Sequence, residues 1–126
     1  MMLQETLLAM RNSLEKLNND HILVTNKDIN AIVNYFKEME KGSFIFPMKF
    51  ITEVKIDMNK AYDILSNLED SGFVEPIFQV YCHECNNFQK GYYLSLTDIE
   101  TEDICEFCHN VIGEKNIMVR YRVITE

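Results

Sequence analysis

Proline and glycine are scarce, two and four copies in 126 residues, while 47% of the chain is apolar. A chain so poor in breakers and so rich in core-forming residues can bury a core and is not a disordered tail. Its length allows one modest domain or two very small ones. Long apolar runs are also missing: none approaches the roughly 18 to 20 residues that a membrane span needs. The start mixes Gln4, Glu5 and Arg11 among its apolar residues and lacks a signal peptide's order of basic then apolar segments, so the expectation is a cytoplasmic protein. Cations are short as well. Twelve Lys and Arg face twenty Asp and Glu, a formal charge of -8. Such a chain repels phosphate over about a Debye length, and nucleic-acid contact would require a local basic patch. Catalytic patterns are missing too: no nucleophile with a base and no phosphate-binding loop stands out, and the expectation is not an enzyme.

Cysteine is rare but not scattered. All four copies lie in Cys82-His83-Glu84-Cys85 and Cys105-Glu106-Phe107-Cys108. A two-residue gap lets one tight turn aim two thiolates at one point, and two such turns supply the four soft ligands that tetrahedral zinc prefers. The expectation is one structural zinc ion per chain held by Cys82, Cys85, Cys105 and Cys108. Iron also suits a four-thiolate cage. Disulfides fit poorly in a chain read as cytoplasmic, and thioredoxin-type redox chemistry needs a Cys-x-x-Cys at a helix start near a βαβ unit. Four thiolates leave no open position for an activated water. Zn²⁺ with four thiolates adds about -2 to the formal -8, for a total near -10. His83 and His109 adjoin the ligands in sequence but are surplus to a complete set, and His21 sits in a polar connector.

Residues 2 to 18 read as a helix with Leu3, Leu7, Met10, Leu14 and Leu17 at alternating spacings of four and three. That is the seam of a coiled coil, and two uses are open: packing on its own domain, or association with a partner or a second copy. A polar break, Asn18-Asn19-Asp20, precedes a second helix capped by Thr25 with Asp28, striped by Ile29, Ile32, Val33, Phe36 and Met39 and stopped by Gly42. Phe44-Ile45-Phe46 reads as a short strand, and Pro47 starts a third helix running to about Lys55. After the turn Lys55-Ile56-Asp57, Asp57 caps a fourth helix from Met58 to about Ser71, with Ala61, Ile64, Leu65 and Leu68 inward and Gly72 ending it. Phe73-Val74 and Ile77 to Tyr81 read as extended.

The order helix, short strand, helix, turn, helix, Gly, strand over residues 26 to 81 resembles the winged helix-turn-helix fold. The stretch Ala61 to Val74 resembles that family's recognition helix, with apolar positions leading into a Gly and an apolar strand. Residues 77 to 126 read as a zinc ribbon, closed by Gly113 and a strand from Asn116 to Ile124. In that strand Ile117, Val119, Tyr121 and Val123 alternate with Met118, Arg120, Arg122 and Ile124. The combination is similar in architecture to the alpha subunit of the general transcription factor TFIIE and to small bacterial winged-helix and zinc-ribbon accessory proteins. The expected fold is therefore α+β: an N-terminal helix over 1–20, a winged helix-turn-helix over 21–76 and a small antiparallel β zinc ribbon over 77–126. The resemblance implies a fourth helix in the DNA major groove and a basic hairpin wing on the backbone.

The outer face of that helix offers Asn59, Lys60, Asp63, Ser66, Asn67 and Asp70, of which Asn59, Lys60 and Asn67 are candidate base readers. Arg120 and Arg122, joined by Lys90 or Lys115, are candidate phosphate contacts or partners for local acids. Asp98, Glu100, Glu102, Asp103 and Glu106 form an acidic run that reads as a solvated loop or a surface for a basic partner. Two functions remain. One is a non-enzymatic interaction or accessory subunit of a multi-component assembly, of regulatory or defence type, using the leucine seam or exposed aromatics such as Phe88 and Tyr92. The other is a sequence-specific DNA-binding regulator, which the acidic charge disfavours.

Overall fold

The computed structural model describes residues 1–18, 22–89, 91–99, 103–112 and 117–126. Expectations placed on Asn19, Asp20, His21, Lys90, Glu100, Glu102, Gly113, Lys115 and Asn116, and on the side chain of Asp103, lie outside the described residues. The fold is mixed α and β. Four helices, α1 (Gln4–Lys16), α2 (Asn26–Lys37), α3 (Pro47–Val54) and α4 (Met58–Asp70), are joined by β1 (Phe44–Ile45), β2 (Val74–Cys82), β3 (Asn87–Phe88), β4 (Asp103–Ile104), β5 (Val111–Ile112) and β6 (Ile117–Val123). One sheet has the order β1-β6-β2-β3, and a second pairs β4 with β5. Two compact units result: Met1–Glu75 with Tyr121–Glu126, and Pro76–Arg120. No helix among the described residues is long and apolar enough to cross a membrane.

In the first unit each helix starts and stops for a local reason. At α2 the Thr25 hydroxyl accepts from the Asp28 amide and the Asp28 carboxylate accepts from the Thr25 amide, both at 3.1 Å, a reciprocal capping box. The α2 stripe then buries Ile29, Ile32 and Phe36. The helix ends at Lys37, earlier than the glycine expected to stop it. Gly42, at φ +93°, instead shapes the turn into β1, and its amide donates to the Val123 carbonyl at 2.7 Å. Pro47 opens α3, where its missing N–H has no intrahelical partner to lose, and Lys55 closes it in the left-handed conformation. Asp57 caps α4 through the Lys60 amide at 2.8 Å. At the far end Phe73 donates to Leu68 at 2.9 Å and Gly72 to Glu69 at 3.0 Å, the paired bonds of a Schellman motif with Gly72 at φ +84°.

One hydrophobic core gathers these helices. Leu7, Met10 and Leu14 of α1 are buried in it and Leu17 packs against it, so most of the α1 seam is occupied within the unit, while Leu3 stays 54% exposed. Tyr35, Phe36 and Phe50 meet edge-on at the centre, with ring centroids 5.3 Å apart for Tyr35–Phe36 and 5.1 Å for Tyr35–Phe50. The last strand completes the core. Phe44 pairs with Arg122 and Ile45 with Tyr121, and Tyr121 and Val123 are buried. Two half-buried ion pairs, Lys60–Asp28 and Arg122–Glu75, bridge distant parts of the chain within this unit.

The second unit is built from hairpins. β2 runs unbroken through Pro76; a strand tolerates proline where the absent N–H has no ladder partner. β2 pairs with β3 through Tyr81–Phe88 and Cys82–Asn87. The outgoing chain then follows β2 back: Gln89 donates to Val80, and Phe78 and Tyr93 exchange amide bonds, all at 2.8 Å. The core here is small, Val80 with Cys82 and Cys105, backed by Tyr93 and Ile99. The expected alternation of β6 holds at Tyr121 and Val123, which meet the first unit's core. It fails at Val119, which belongs to the same apolar set yet is 42% exposed, while Met118, on the face that carries the arginines, is 45% exposed.

Candidate metal centre

Both Cys-x-x-Cys segments sit at the tips of hairpins and fold alike. Cys82 ends β2 and pairs with Asn87, while Cys105 follows β4, which pairs with β5 through Asp103–Ile112 and Ile104–Val111. The residue after each second cysteine, Asn86 or His109, is left-handed, at φ 59° and 65°. Its amide reaches back to the carbonyl of the first cysteine, Asn86 to Cys82 at 2.8 Å and His109 to Cys105 at 3.0 Å. Asn and His are among the side chains that enter this region at least cost. The repeated turn points both thiols of each pair to one side.

The four sulfurs lie within 4.8 Å of one another. The closest approaches cross between the hairpins, Cys82 to Cys108 at 3.5 Å and Cys85 to Cys105 at 3.6 Å. These distances exceed the roughly 2.05 Å of a disulfide, and all four cysteines are free thiols. The range from 3.5 Å to the 4.8 Å limit includes the edge of about 3.8 Å that four sulfurs adopt around one ion with metal–sulfur bonds of about 2.3 Å. Cys82 and Cys105 are buried, and Cys85 and Cys108 half-buried. The set can hold a metal ion and fills a tetrahedral shell by itself.

Hydrogen bonds tune the thiols. Cys105 Sγ accepts from Gln89 Nε2 at 3.3 Å, Phe107 N at 3.4 Å and Cys108 N at 3.5 Å. Burial pushes the Cys105 thiol up, but the amides of Cys108 and Phe107 and the Gln89 side chain outweigh it and bring the pKa to about 6. Cys108 behaves oppositely: a hydrogen bond from Asn110 pulls it down, while burial and the Cys82, Cys105 and Cys85 thiols push it up to about 11. Four thiols this close cannot all ionise without a cation among them, and one divalent ion removes that conflict while displacing the protons.

Gln89 does a second task, since its Oε1 accepts the Glu106 amide at 2.8 Å. One side chain from the first hairpin thus braces the turn of the second. Neither Gln89 nor Asn110, whose Nδ2 donates to Cys108 Sγ at 3.4 Å, stands out in the sequence. The available signal for Gln89 was its alternation with Phe88 along the outgoing strand.

Other candidate residues are not gathered at this centre. His83 and His109 are exposed and outside the sulfur cluster, and His83 rests edge-on against Tyr81 at 5.2 Å. Asp98 and Glu106 are exposed. On α4, Asn59 is exposed, Lys60 pairs with Asp28, and Asn67 Oδ1 accepts from the Ser13 hydroxyl at 2.9 Å. The Arg120 guanidinium lies 4.9 Å over the Phe88 ring, and Arg122 pairs with Glu75. The chain matches no protein-family model, no curated protein and no solved structure, so the reading of this centre rests on its own geometry and chemistry.

Proposed function

We propose that this protein is a non-enzymatic interaction subunit in which a structural zinc ion stabilises a small ribbon attached to a winged helix-turn-helix. The sulfur cluster supports zinc because four thiols complete a tetrahedral shell and leave no position for substrate or water. When bound, zinc would supply a cross-link between two hairpins rather than a Lewis acid. Cys82, Cys85, Cys105 and Cys108 would hold it, and Gln89 and Asn110 would orient and partly neutralise the thiolates. The winged-helix reading is supported by α3 and α4 joined at a left-handed Lys55, and by β2 and β6 as neighbouring strands. In this reading β2 and β6 are the arms of the wing, and the cysteine-bearing segment is inserted in sequence between them.

The observation that favours docking over DNA reading is the engagement of α4. Its one cation, Lys60, is held by Asp28, and Asn67 is bonded to Ser13. A helix that reads DNA needs free donors supported by several phosphate-neutralising cations. The test is a salt-titrated binding assay with duplex DNA alongside metal analysis. The expected result is about one equivalent of zinc and no duplex binding at moderate salt. Protection of a defined duplex site, abolished by Lys60→Ala, would overturn the proposal in favour of a DNA-binding regulator.

A further inference from the structure

We infer that the exposed face of α4 is a docking surface for a basic segment of a partner protein that carries an apolar anchor. This rests on the interaction-subunit reading and names its surface and partner chemistry. At about 100° per residue, Met58, Tyr62, Asp63, Glu69 and Asp70 fall within one arc of about 140°, with the uncharged Asn59 and Ser66 between them. Met58 and Tyr62, four residues apart and therefore neighbours, are 52% and 40% exposed. Neither belongs to the hydrophobic core of the unit. Asp63, Glu69 and Asp70 are exposed carboxylates on the same face.

Charge selects the occupant. The arc contains no cation, and Lys60, just outside it, is already paired with Asp28. At the foot of the helix, exposed Lys55 is offset by Asp57. Phosphate would meet three carboxylates here, whereas Lys or Arg side chains would find partners at the rim and an apolar residue could sit against Met58 and Tyr62. Specific interfaces share that arrangement of apolar centre and polar rim, with complementary charge setting the choice of partner.

The test presents the full-length, zinc-loaded protein with three pools of synthetic peptides, each about 15 residues long and equal in apolar content but basic, neutral or acidic, and with mixed-sequence duplex DNA. Binders are expected from the basic pool alone. The tightest should weaken at least about tenfold on Tyr62→Ala, as for a buried aromatic anchor, and also on combining Asp63→Asn with Asp70→Asn. Leu8→Ser, at an exposed position on α1, should change nothing. Circular dichroism checks folding; if Tyr62→Ala fails to fold, the double asparagine variant, altered only at exposed positions, decides alone. Binding from the acidic or neutral pool, no binding from any pool, or basic binders indifferent to the α4 variants would overturn this surface. Indifferent basic binders would leave the interaction-subunit reading standing. Site-specific DNA protection lost on Lys60→Ala would remove both.

Discussion

Asp28 shows how one side chain can serve two structures at once. It closes the α2 capping box with Thr25 and holds the Lys60 ammonium of α4, with both side chains mostly covered. Burial alone would raise its pKa, but Lys60 and the Thr25 amide and hydroxyl outweigh burial and leave it below the ordinary 3.8. Because the folded carboxyl binds its proton less tightly than the unfolded one, its contribution is complete above about pH 4 and fades as the pH falls through the lower folded value. Asp28→Asn should therefore cost about 1 to 3 kcal/mol at pH 7, because the amide oxygen can still accept from Thr25 but the charge that holds Lys60 is gone. It should also flatten the acid limb of stability, as read from urea midpoints across that range. Gln89→Ala should lower metal affinity about 10- to 100-fold in a chelator competition while leaving the helical unit folded. The cysteines were legible because ligand spacing is local. Gln89 was not, because its role arises only when one hairpin is laid beside the other.

Elements were legible where their signals are short-range. Thr25 with Asp28, Pro47, Asp57 and Gly72 each act at the helix end where the sequence placed them. The turn between α3 and α4 is less favourable than it could be, since Lys55 adopts φ 63° with a full side chain. Lys55→Gly should raise stability by up to about 1 kcal/mol, measured as a higher denaturant midpoint at unchanged slope. An unchanged or lower midpoint would show that the lysine stem packs well enough to offset its backbone cost. The strands were harder to read. Alternation along β6 gave one apolar face, yet only Tyr121 and Val123 meet a core, because the strand passes from one unit to the other. Periodicity reports which side chains share a face, not whether anything lies beneath it.

At the scale of the molecule, the two units are stabilised by different means. The first has a core drawn from every helix and from both its terminal segments; in the second, the buried cluster among the described residues is Val80 with Cys82 and Cys105 themselves. Chelation should therefore release Pro76–Arg120 while the helical unit keeps its cooperative transition, and hydrogen exchange would show protection lost in Pro76–Arg120 and retained in α2 and α4. Equal loss in both would mean that the units fold as one. Sequence reading distinguished a helical part from a cysteine-bearing part, but it did not foresee that Tyr121–Glu126 return to the helical unit, since no local pattern marks the pairing of Phe44 with Arg122. That pairing also sets an order of events during synthesis. Ile45 waits in a nascent chain for Tyr121 until the whole metal-binding segment has been made. Metal capture can therefore precede completion of the helical core. With an ion bound, a folded Pro76–Arg120 segment would replace a long flexible loop between Glu75 and Tyr121, and would thereby lower the entropy cost of closing the helical core.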